Sequence, residues 1–81
     1  MKCKVLLFAQ LRDAIGCERM SLELPNGATV GDALNALAKQ HVAVATMRKS
    51  LAVAVDEQYH RMDYELSEGC TLALIPPVSG G

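Results

Sequence analysis

Tryptophan is absent from this sequence, and Phe8, Tyr59 and Tyr64 are its only aromatic residues. Aromatics make up 4% of the chain, so Leu, Val, Ile and Ala must fill whatever core it builds. An excess of one charge is missing too. Eight Lys and Arg stand against nine Asp and Glu, a net charge of −1 with both signs scattered. Nucleic-acid binding normally leaves a basic footprint, and this chain has none. Long apolar runs are also lacking. Val5 to Ala9 and Leu51 to Val55 fall far below the ~18 residues of a membrane span. Lys2-Cys3-Lys4 ahead of the first run faintly resembles a signal peptide, but Gln10, Arg12 and Asp13 follow at once. The mature chain is expected to begin at or near Met1.

Clustered metal ligands are a further absence. Cys3, Cys17 and Cys70 are odd in number and contain no C-x-x-C pair, which argues against a disulfide framework and a cysteine-built metal site. Free thiols fit a reducing cytosol, so a cytoplasmic location is expected. As residues they read as small hydrophobes. His41 and His60 have no partner at metal-ligand spacing and read as surface groups. Asp56-Glu57 and Asp63, Glu65 and Glu68 lie near turns and read as solvated surface. Met20, Met47 and Met62 read as core filler. No cofactor or metal is expected on this chain.

What is present is enough for one small domain. The 81 residues are 51% hydrophobic and 21% charged, the balance of a soluble globular chain. Lys2 to Leu11 reads as a first strand, with Val5, Leu7 and Ala9 on one face and Leu6, Phe8 and Gln10 on the other. Glu18 to Leu24 alternates as a half-buried strand, stopped by Pro25-Asn26-Gly27. A hairpin of these two is expected. Thr29 opens the one convincing helix: its hydroxyl can cap the first turn, and Asp32 suits the positive end of the dipole. Val30, Ala33, Leu34, Leu37 and Ala38 then form one apolar stripe. His41 to Ser50 is undecided between helix and loop. Leu51 to Val55 is a short apolar strand, Gln58 to Met62 a possible edge strand, and Thr71 to Ile75 the last strand. This β-β-α-β-(β)-β order is α+β: a mixed sheet packed against one main helix, the β-grasp or ubiquitin-like arrangement.

Beyond the domain of residues 1–75 comes Pro76-Pro77-Val78-Ser79-Gly80-Gly81. Proline lacks the amide of a sheet ladder, so Pro76 and Pro77 end the last strand and stiffen the exit. Six residues reach ~20 Å when extended. Gly80 and Gly81 carry no Cβ and can thread a channel too narrow for other residues. At the tip stands an unhindered main-chain carboxylate. Adenylation by ATP would give it a leaving group, and a sulfur nucleophile could then displace AMP to leave a thiocarboxylate. A stiff base with a slim, activatable tip is the form of a working terminus.

Leu74-Ile75-Pro76-Pro77-Val78-Ser79-Gly80-Gly81 resembles the C-terminal signature of the molybdopterin synthase small subunits, also called molybdopterin-converting factor subunit 1. Val5 to Asp13, with Gly16 after it, is similar to that family's first strand and turn. Leu51 to Asp56 resembles its central strand, and Leu66 to Gly69 the turn before the last strand. The resemblance spans essentially the whole chain. The departures are Asp56, where Asn is common, Cys70-Thr71-Leu72 in place of Asp-Glu-Val, and Asp13 in place of Glu.

The resemblance implies a sulfur carrier that is not catalytic alone. An ATP-dependent activating enzyme would adenylate Gly81, and a persulfide donor would convert it to a thiocarboxylate. The tail, Pro76 to Gly80 with Gly81 at its tip, would then enter the large subunit. Sulfur would pass there to cyclic pyranopterin monophosphate, building the dithiolene of molybdopterin, in a heterotetramer of two small and two large subunits. Neither nucleic acid nor membrane enters this scheme.

One helix can cover only one face of a small sheet, and the first and last strands are apolar on both. Leu6 and Phe8, with Leu74 or Ile75, are therefore candidates for a partner-binding patch. The family places an aromatic at the Phe8 position against the large subunit. Arg12 is open between a partner contact and a neighbouring carboxylate. The rival readings are the thiazole-forming sulfur carrier of thiamin synthesis, a ubiquitin-like modifier joined to lysines, and an interaction module with an inert tail.

Overall fold

The structure, a computed structural model, describes residues 1–77 of the 81. Its elements are β1 (Lys2–Leu7), α1 (Ala9–Ile15), β2 (Arg19–Glu23), α2 (Val30–Gln40), α3 (Val42–Met47), β3 (Ala52–Val55), β4 (Gln58–Tyr59) and β5 (Thr71–Ile75). A 3-10 turn at Arg48–Ser50 joins α3 to β3. The five strands form one mixed sheet in the order β2-β1-β5-β3-β4. β1 and β5 run parallel at its centre, and the other neighbours pair antiparallel. This is the α+β, ubiquitin-like arrangement expected from the order of elements.

Alternation decides what each strand buries. Cys3, Val5 and Leu7 of β1, Leu72 and Leu74 of β5, and Val53 and Val55 of β3 all point to one side and are buried. Against that side lies α2, through Val30, Ala33, Leu34 and Leu37. Ala38, the last member of the expected stripe, is half-buried at the margin. Residues spaced by three and four on a helix share one face, so this stripe meets the strand residues as a single layer.

The start of α2 has its free amides satisfied. Thr29 Oγ1 accepts from the Asp32 amide at 3.2 Å, and the Asp32 carboxylate accepts from the Thr29 amide at 2.9 Å. Such a reciprocal cap contributes about 1 kcal/mol. The next two amides, of Val30 and Gly31, donate to the carbonyls of Tyr64 and Met62. The connection from β4 to β5 is thereby pinned to the helix. Gly31 also lets it pass close by, since a Cβ there would stand 3.3 Å from the Met62 carbonyl oxygen.

Two expectations need correction, and one open segment is decided. The first strand ends at Leu7, and residues expected as its continuation form α1. Phe8 keeps extended geometry, but Ala9 takes φ +50°, a left-handed conformation costing an L-residue ~1–2 kcal/mol. The chain turns there. Leu11 then becomes fully buried, with Ile15 one turn on packed against the core. Gly16 closes α1 at φ +90°, its amide donating to the Arg12 carbonyl at 2.8 Å. Consequently β1 and β2 pair antiparallel across an intervening helix and not through a tight hairpin. The undecided segment after His41 is α3 and the 3-10 turn, with Val44 fully buried. Met62, expected as core filler, is 42% exposed.

Candidate functional site

Every helix that packs on the sheet does so from the Val5–Leu72 side, and no element of the described residues covers the opposite face. Period-two alternation puts Leu6 of β1, Ala73 and Ile75 of β5, and Ala54 of β3 there. Together with Phe8 and Tyr59 they line a shallow concavity of about 640 Å³. Phe8 is 41% exposed and Tyr59 69% exposed. Large exposed aromatics grouped with aliphatics on one face form a contiguous apolar patch, the kind that marks an interaction surface.

The turn between β3 and β4 rims this patch with two carboxylates, Asp56 and Glu57. Both residues have positive φ, +49° and +73°, the conformation of a two-residue hairpin turn that favours Asn, Asp and Gly. The Asp56 carboxylate accepts from the Thr71 amide at 2.9 Å, and the Asp56 amide donates to the Thr71 carbonyl at 2.9 Å. That pair ties the turn to the start of β5. Asp56 thus holds a shape, whereas Glu57 makes no such contact and faces outward.

Arg12 projects from α1 at the other end of the face, next to Phe8, Leu6 and Arg19. Its guanidinium Nε lies 3.6 Å from the carboxylate of Asp13, and both side chains are well exposed. Exposed pairs of this kind are worth ~0–1 kcal/mol. Arg12 is therefore held only weakly at the edge of the patch.

Among the residues expected to meet a partner, Leu74 must be withdrawn. It is 0% exposed, sealed in the core beside Leu7 of β1 and Val53 of β3. Adjacent residues on a strand point to opposite faces, so burying Leu74 is what presents Ile75. Leu6 and Ile75 are half-buried on the open face. Ala73 and Tyr59 belong to the same face and were not singled out from the sequence. Alternation along Thr71–Ile75 carries the signal for Ala73; an edge strand two residues long hid Tyr59.

β5 leads from the open face to Pro76 and Pro77. β5 is flanked by β1 and β3, and it ends at Ile75. Pro76 is buried against the domain and Pro77 is exposed. Pro76, the first residue of the 76–81 tail expected from the sequence, is thus packed against the domain, and Pro77 follows it at the surface. Val78, Ser79, Gly80 and Gly81 lie outside the described residues. Among the described residues no group of three or more His, Cys, Asp or Glu could hold a metal ion. None of their helices is long and apolar enough to cross a membrane.

Known proteins share both the sequence and the shape. The model of the ThiS family matches residues 5–81. A molybdopterin synthase sulfur carrier subunit of Chlamydomonas reinhardtii is 37% identical over 83 residues, covering 100% of both chains. The crystal structure of SAMP1 from Haloferax volcanii superposes with a TM-score of 0.87 at 30% identity, covering 100% of each chain. A chain of the Amycolatopsis orientalis BexX/CysO complex matches with a TM-score of 0.72 at 25% identity, over 98% of this chain and 99% of that one. The family match over residues 5–81 and the end-to-end relatives agree with one another and with the fold: the chain belongs to the ThiS family and is a homologue of the molybdopterin synthase sulfur carrier subunits.

Proposed function

We propose that this chain is the sulfur carrier of a molybdopterin synthase. The observation that carries the reading is the junction of two features on one strand. β5 contributes Ala73 and Ile75 to the open apolar face, and it runs directly into Pro76, Pro77 and the Val78-Ser79-Gly80-Gly81 sequence. A partner seated on that face is next to the point where the chain leaves the sheet at Pro76 and Pro77. Docking and delivery are then one event.

In this reading the Gly81 carboxylate attacks the α-phosphate of ATP within an activating enzyme, and pyrophosphate leaves. A persulfide sulfur next attacks the acyl carbon, and AMP leaves. A thiol then cleaves the remaining S–S bond to free the thiocarboxylate. Gly80 and Gly81 present no side chain to obstruct either attack. The large synthase subunit supplies the catalytic groups, and cyclic pyranopterin monophosphate accepts the sulfur. The assembly is a heterotetramer of two small and two large subunits in the cytoplasm. ATP belongs to the activating enzyme, and this chain carries no cofactor of its own. Similarity to SAMP1 supports a second reading, in which the same activated glycine is joined to a lysine amine of another protein.

Deleting Gly81 tests the proposal. The deletion withdraws the carboxylate by ~3.5 Å, while catalytic geometry is sensitive to ~1 Å. Incubation with activating enzyme, ATP and a sulfur donor should add ~16 Da to the parent, as sulfur replaces one oxygen. The shortened chain should gain nothing and melt like the parent. A lysine-linked product in place of sulfur transfer to the pterin would select the modifier reading. Thiolation and molybdopterin formation by the chain ending at Gly80 would overturn the carrier mechanism.

A further inference from the structure

Two nucleophilic side chains lie in the core, away from the open face. Cys3 belongs to β1, and Cys70 immediately precedes β5. Lys4 pairs with Thr71 in the parallel ladder, so one step back along both strands sets Cys3 beside Cys70. The backbone around them is closed by two hydrogen bonds, from the Lys4 amide to the Cys70 carbonyl and from the Gly69 amide to the Lys2 carbonyl, each 2.9 Å. Both thiols are buried, and their Sγ atoms stand 3.2 Å apart. A disulfide needs ~2.05 Å between sulfurs and Cα atoms ~4.4–6.8 Å apart. Neighbouring strands lie ~4.8 Å apart. Closing the bond therefore asks the sulfurs to move by about 1 Å and leaves the ladder in place.

We propose that Cys3 and Cys70 are a convertible dithiol, which a two-electron oxidant of the disulfide or azo class turns into a disulfide stapling β1 to β5. In this step one thiolate attacks the oxidant and forms a transient adduct. The second sulfur attacks the first, an S–S bond forms, and the reduced oxidant departs. Two S–H bonds are lost, and both electrons and both protons end on the oxidant: an azo compound becomes a hydrazine, a disulfide becomes two thiols. The staple joins residues 67 apart in sequence. Cross-links that close long loops restrict the unfolded chain most, so the oxidised domain is more stable than the reduced one. The site lies where β1 and β5 begin, while Pro76 and Pro77 follow the other end of β5. The staple therefore acts on stability and leaves the exit of the chain untouched.

Burial, reinforced by the neighbouring Cys70 thiol, pushes the Cys3 thiol up to about 12. Thiolate is the reactive form, so conversion is slow at neutral pH and accelerates when the strand ends open. Cys17 is the third thiol, half-buried in the connection between α1 and β2. Replacing it leaves only the pair.

The test uses the full chain with Cys17→Ser, treated with diamide in native buffer and, in parallel, in urea below the unfolding transition. The expected result is a loss of ~2 Da by intact mass, no alkylatable thiol after denaturation, and one peptide linking Cys3 to Cys70. Dithiothreitol should reverse all three. The melting temperature of the oxidised form should rise by on the order of 10 °C. The parent chain, carried alongside, should give the same linked peptide. Two alkylatable thiols surviving in both buffers would overturn the proposal. So would a disulfide-linked dimer as the product, or an oxidised form that melts below the reduced one.

Discussion

The two faces of the sheet are built from the same strands and put hydrophobic side chains to opposite uses. On the helix side Val5, Leu7, Leu72 and Leu74 are sealed under α2. On the other side Leu6, Ala73, Ile75, Phe8 and Tyr59 have no element above them among the described residues. The difference teaches that hydrophobicity alone does not assign a role. Leu74 and Ile75 are sequence neighbours of similar size and apolarity, yet one is sealed in the core and the other lies on the open face. A one-residue shift along a strand exchanges the two functions.

Stability measurements on Leu74 and Ile75 would break this comparison most sharply. Leu74→Ala removes fully buried methyl groups and should cost ~2–5 kcal/mol. That is a large part of the ~5–15 kcal/mol that holds a domain folded. Ile75→Ala should cost less than half as much in the same urea melt. Equal losses would mean that the open face is core after all.

Phe8→Ala probes the open face itself. Truncating an aromatic that fills a partner's pocket costs ~2 kcal/mol or more of binding, about thirtyfold in affinity. Titration with the large synthase subunit should show that loss, with melting shifted by only a few degrees. A drop in stability with unchanged assembly would remove Phe8 from the interface.

An effect confined to alkaline pH sharpens the helix side. The unfolded thiol ionises near 9.0, whereas Cys3 in the folded domain does so at about 12. Between those values the unfolded state binds fewer protons than the folded one, so stability falls as pH rises. Below pH 9 the group makes no difference to the slope. Cys3→Val lacks this ionisation, and its stability should decline less steeply from pH 9 towards 12. Parallel slopes for the two chains would remove Cys3 as the cause.

Much of this was legible in the residues. The cap at Thr29 with Asp32, and the stripe of Val30, Ala33, Leu34 and Leu37, arise within one helix and appear as expected. So does the strand break after Ile75, because proline denies the ladder an amide. The bend at Ala9 was not legible: Val5 to Ala9 is a continuous apolar run with neither Gly nor Pro. Alanine there takes a left-handed conformation that no local preference favours. Burying Leu11 under the sheet offsets that cost.

Local chemistry settled the number of strands, the main helix and its cap, the di-proline exit and the glycine pair. Those features depend on residues within a few positions of one another, where backbone preference and side-chain periodicity act directly. Pairing across the chain was decided only by tertiary structure. It put β5 between β1 and β3, gave Leu74 to the core and Ile75 to the surface, and brought Cys3 within 3.2 Å of Cys70. Both faces of β5 are apolar, so its own sequence could not say which side the helices would take. That choice belongs to the register with β1 and to the single layer of helices, which can cover only one face of the sheet.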